Sequence, residues 1–151
     1  MIYYLIASIL IAVAALFART KRAVLAAGIL FYAVQIAAAG LLLWGGLYDT
    51  TSAAFFTFDA LGTLFYLLLV VVSMYVFGHS EAYLQGEDLR SYRLYFALLM
   101  LLTTAIAGAY FANNLAVTWI FLEATTLCSA GIIYHRRTAQ ALEAAWKYVF
   151  V

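Results

Sequence analysis

Glu123 sits in "WIFLEATTLCSAG", residues 119–131, inside a run that is otherwise almost wholly apolar. An acid at the centre of a bilayer costs about 2.5–3.5 kcal/mol on insertion scales, so an intramembrane acid is by default an ion or proton site. Its helical neighbours at three, four and seven residues are Ala116, Trp119, Thr126, Leu127 and Ala130. The alanines would let another helix approach. The Thr126 hydroxyl, one turn away, could bond the carboxyl or its water. A protonated Glu123 making one interhelical hydrogen bond is the structural alternative.

Lys147 follows Glu143 at the spacing of a helical Glu–Lys pair, worth ~0.2–0.5 kcal/mol. Buried in the membrane, the same lysine would have a lowered pKa and could carry protons. Asp59 opens an apolar run in "FFTFDALGTLF" and reads as a helix cap that complements the macrodipole. His79, Ser80 and Glu81 read as a solvated polar cluster, with proton entry as the functional alternative, and "GEDLRSYR" reads as a solvated loop. The two histidines, His79 and His135, fall in different polar loops. A single cysteine, Cys128, permits no intrachain disulfide or thiolate cluster and reads as a packing residue. No phosphate loop, nucleophile elbow or metal spacing appears, so neither a cofactor nor a metal is expected.

These residues need a membrane to position them. Hydrophobic residues make up 68% of the chain and charged residues 10%, against roughly 45–50% and about 25% in soluble proteins. That excludes an ordinary water-facing globule. The net charge of +1 gives no electrostatic case for nucleic acid. Apolar runs predict an all-α polytopic membrane domain over residues 1–151, with spans at about 2–18, 23–47, 59–78, 94–112 and 115–134. Each approaches the ~20 residues that cross a ~30 Å core. A polar stretch with Asp49, Thr50, Thr51 and Ser52 follows the second span. The runs are too long, and alternate too little, for strands. Positive charge follows the first run instead of preceding it, which favours an uncleaved span over a signal peptide.

All eight Lys and Arg residues fall in 19–22, 90–93 and 136–147, after spans one, three and five. The positive-inside rule then places the N-terminus outside and those three loops in the cytoplasm. "ALEAAWKYVFV" begins at about residue 141 as the entry to a sixth helix too short to cross, so the chain reads as the front piece of a longer or split subunit.

Three stretches taken together, "FTFDALGTLFYLLLVVVSMYVFGHSEAYL", "NNLAVTWIFLEATTLCSAG" and "LEAAWKYVF", resemble the N-terminal third of the antiporter-like proton-translocating subunits. These occur in respiratory complex I, Mrp-type cation/proton antiporters and group 4 membrane-bound hydrogenases. "LEATTL" with "LEAAWKY" looks most like the F-type subunit of formate hydrogenlyase-type hydrogenases. The resemblance covers about residues 55–151, with an Asp opening span three, a Glu in span five and a Lys about 24 residues later. It implies an ion path through Glu123 and Lys147, with Glu123 coupled to Lys147 or to a lysine beyond Val151. Such subunits have about fourteen spans, so the chain would hold part of a channel and would not pump alone. The partners implied are the lipid bilayer and other membrane subunits of a redox-driven complex of hydrogenase or quinone-reductase type. A membrane scaffold subunit, or part of an inorganic-carbon-uptake complex, are the other readings.

Overall fold

Helix starts coincide with residues able to cap them. Thr20, Asp59, Asp88, Asn114 and Thr138 each accept a hydrogen bond from a backbone N–H in the first turn of the helix that follows. Such caps satisfy donors that have no intrahelical partner. The computed structural model describes residues 1–45 and 55–150. Within them the helices are α1 (Ile2–Phe17), α2 (Lys21–Leu43), α3 (Ala60–Tyr83), α4 (Leu89–Phe111), α5 (Leu115–Ile133) and α6 (Ala139–Phe150), with a 3-10 turn at Tyr134–Arg136. The close of the predicted second span at 46–47, and the polar residues Asp49, Thr50, Thr51 and Ser52, lie outside the described residues.

Four helical segments are long and apolar enough to cross a membrane: Lys21–Leu43, Ala60–Tyr83, Leu89–Phe111 and Leu115–Arg136. The chain is a membrane protein on that ground. α1 is apolar but has 16 residues, about 24 Å at 1.5 Å per residue, shorter than a ~30 Å core.

Two helices run past the predicted spans, and both differences are corrections. α3 continues to Tyr83, so His79, Ser80 and Glu81 belong to its last turns and do not form a loop; Ser80 is buried. Its hydroxyl donates to the Val76 carbonyl at 2.7 Å, a bond available only on a helix. α4 begins at Leu89, so "LRSYR" is helical and does not form a solvated loop. Asp88 caps it, and Tyr92 is buried in the core.

α4 is the axis of the bundle and packs against α1, α2, α3 and α5, while α6 packs on α5. One core cluster joins Phe31, Tyr32, Leu84, Tyr92, Phe96 and Met100; a second joins Ala39, Leu42, Tyr66, Val70, Ala107 and Phe111. α4 and α5 approach closely where glycine allows it. A Cβ on Gly108 would clash with the edge of the Phe121 ring, and one on Gly131 would lie 2.7 Å from a Leu98 methyl. An isolated bridge between Phe56 and Ala112 ties the entry of α3 to the exit of α4.

The three basic segments meet at one end of the bundle. Lys21 Nζ donates to the Glu87 carbonyl at 2.7 Å, Arg93 Nη1 donates to the Ala18 carbonyl at 3.1 Å, and Arg136 Nε pairs with Glu87 Oε1 at 3.0 Å. We call this the basic end.

Candidate functional site on and beside the fifth helix

Asn114 starts α5 by accepting from Ala116 N at 2.9 Å. From there Glu123 falls near the middle of the helix, roughly 15 Å from its far end at ~1.5 Å per residue. Phe121 and Gly131 turn toward α4. Glu123 is exposed, pointing away from the bundle of described residues, beside exposed Trp119, Ile120, Leu122 and Leu127. Its Oε1 accepts a hydrogen bond from Trp119 Nε1 at 3.1 Å. Indole is a donor only, so this contact suits either protonation state of the carboxyl.

The other residues singled out by sequence fall in several places. Thr126 donates to the Leu122 carbonyl at 3.2 Å, back along its own helix. Ala116 is exposed, and Ala130 is buried in the seam that α5 shares with Leu142, Ala145 and Trp146 of α6. Lys147 Nζ pairs with Glu143 Oε1 at 2.6 Å on the exposed surface of α6. Among the described residues no ion pair links Lys147 to Glu123. Asp59 caps α3 as its position suggested: its Oδ1 accepts from Gly62 N at 3.0 Å, and its carbonyl accepts from the Thr63 hydroxyl at 2.8 Å.

Two polar groupings were missed by sequence reasoning. The first spans α1, α2 and α3. Gln35 is fully buried, and its Oε1 accepts from Tyr4 at 2.6 Å and Tyr66 at 2.8 Å. The second is an open cavity of about 500 Å³ at the basic end, lined in part by Tyr75, His79, Ser80, Tyr83, Tyr95 and His135. It draws on α3, α4, the end of α5 and the 3-10 turn, and it brings together two histidines that sequence placed in separate loops. His135 is 6% exposed. No periodic signal marks it, because the turn that folds it inward is three residues long.

With this geometry in view, one comparison with known proteins is informative. A protein described as "Hydrogenase-4 component F homolog", from Methylacidiphilum infernorum, is 29% identical over 101 residues. The match covers 63% of this chain and 21% of that protein. The chain is distantly similar to a hydrogenase component. It spans about a fifth of the length of that curated relative. No family profile matches the chain, and no solved structure does.

Proposed function

We propose that the chain is a multi-pass subunit of the cell (inner) membrane, part of a redox-driven, hydrogenase-like complex that moves protons or sodium ions. The observation that carries this is Glu123, a carboxyl near the middle of a membrane-length helix on a face that the described residues leave uncovered. Left in lipid, that acid costs about 2.5–3.5 kcal/mol. A neighbouring membrane subunit or further helices offset the cost and give the acid a partner. The similarity to a protein named as a hydrogenase component supports the type of complex.

In this reading five helices cross, α6 begins a sixth, and the N-terminus is outside with the basic end in the cytoplasm. α1 spans by local thinning and by snorkelling of its flanking charges. Glu123 and Lys147 belong to the ion path, with Asp59, His79, Thr126 and Glu143 secondary. A nearby ammonium favours the ionised carboxyl, and moving it away favours the protonated one, so displacing one charge loads or unloads the other.

The test is ion uptake by vesicles holding the whole complex, normalised to its redox turnover. Glu123→Gln removes titration while keeping size and hydrogen bonding. It is expected to leave assembly intact and reduce uptake, with Glu123→Asp milder. Unchanged uptake per turnover in an assembled Glu123→Gln complex would overturn the reading. The Trp119 bond would then be the whole role of the acid, and the chain a scaffold.

A further inference from the structure

We propose that the cavity at the basic end is a proton-accepting site, with Nε2 of His135 as the acceptor atom. His135 Nδ1 lies 2.7 Å from the Ile132 carbonyl, three residues back. A carbonyl only accepts, so Nδ1 carries the hydrogen. In the neutral ring Nε2 is then a lone-pair acceptor on the opposite edge, turned away from that backbone. The ring is more than nine-tenths buried, and Nε2 has no hydrogen-bond partner among the described residues. A buried acceptor without a donor is costly, and the cavity that His135 lines, mostly apolar, is wide enough to hold water beside it.

The imidazole is packed among aromatic and hydroxyl groups. Tyr95 packs edge-on against the imidazole with centroids 5.3 Å apart, and Tyr83 lies at 6.3 Å. The Tyr95 hydroxyl is 3.1 Å from Ser80 Oγ; Ser80 donates to the Val76 carbonyl, so Tyr95 donates to Ser80 and its oxygen remains an acceptor beside the cavity. His79, exposed on α3, lines the same cavity.

The neighbouring charged groups are each held by a partner. Arg136 pairs with Glu87 and lies over Tyr83 at 5.3 Å, and Arg93 is held on the Ala18 carbonyl. On α6, which packs against the 3-10 turn, Glu143 and Lys147 pair with each other. Tyr75 and His79 are the other titratable groups that α3 presents to the cavity, with Tyr83.

In the proton step, a hydronium ion in the cavity gives its proton to Nε2. An N–H bond forms as an O–H bond breaks. Water is left behind, and the charge passes to an imidazolium that keeps its Nδ1–H bond to Ile132. The site lies apart from Glu123 along the sequence and serves loading from the basic end. It rests on the reading of the chain as part of an ion path.

Two measurements test it. In the full chain with His79→Gln, reconstituted in lipid and labelled with ¹⁵N-histidine, His135 is the one remaining imidazole. Its two ring nitrogens are expected to pass reversibly from the Nδ1–H tautomer to imidazolium between about pH 5 and pH 8. In vesicles holding the whole complex, His135→Gln is expected to cut proton uptake per turnover about ten-fold and to flatten its dependence on pH at the basic end. Should that variant fail to fold, Tyr95→Phe keeps the packing and removes the hydroxyl, and a several-fold loss is expected. A ring that stays neutral across that range overturns the inference, as does titration with no effect of either variant on uptake. If His135 variants leave uptake unchanged while Glu123→Gln abolishes it, this inference fails and the proposed function stands. If His135 variants reduce uptake and Glu123→Gln does not, the role of Glu123 fails instead.

Discussion

The indole Nε1 of Trp119 donates to Oε1 of Glu123 at 3.1 Å, across one turn of α5. Both side chains face away from the described bundle. The tryptophan therefore reports on the acid. Glu123→Gln keeps an acceptor oxygen and should leave Trp119 emission close to its original wavelength, whereas Glu123→Leu should shift it to shorter wavelength. Emission spectra in a Trp44→Phe, Trp146→Phe background make the measurement, and identical spectra for the two variants would show that the bond does not persist in the membrane.

Gly108 on α4 packs against the Phe121 ring of α5. Gly108→Ala drives a methyl against the edge of the Phe121 ring. Overpacking typically costs about 1–3 kcal/mol, against about 1 kcal/mol returned by the better helix propensity of alanine. Net destabilisation is expected, and Phe121→Leu in the same chain should recover part of it. A double-mutant cycle from thermal unfolding in detergent measures the coupling. Additive effects would mean that the two residues do not touch.

Tyr4 and Tyr66 share the Oε1 atom of buried Gln35. Hydrogen bonds between membrane helices average ~0.6 kcal/mol, with a maximum of ~1.7. Tyr4→Phe is expected to lower stability by about that average, because Tyr66 continues to satisfy the same oxygen. Denaturant titration of the reconstituted chain checks this. A loss well above the ~1.7 kcal/mol ceiling would assign Tyr4 a larger role.

The orientation can be read from outside intact cells. In a Cys128→Ser background, Asn113→Cys is expected to react with an impermeant thiol reagent, while Arg22→Cys and Arg137→Cys are expected to stay unlabelled until the membrane is opened. Labelling of Arg22→Cys in intact cells would reverse the topology.

The amino-acid sequence by itself determined the helices. Apolar runs of membrane length, absent proline and a cap such as Asp59 are local facts, and local hydrogen bonding and propensity are enough to act on them. The Glu143–Lys147 pair was legible for the same reason, since four residues on a helix bring two side chains together whatever lies around them. The end of α3 and the start of α4 were not legible. Polar residues such as Ser80 look like loop residues until a neighbouring helix supplies Tyr95 as a partner. Tertiary structure alone decided that His79 and His135 line one cavity, that Gln35 gathers two tyrosines, and that Glu123 faces outward while Thr126 bonds back to its own helix. Each depends on how one helix is rotated against another. That rotation is fixed by long-range packing, such as Phe121 on Gly108, and no periodicity within a single helix records it.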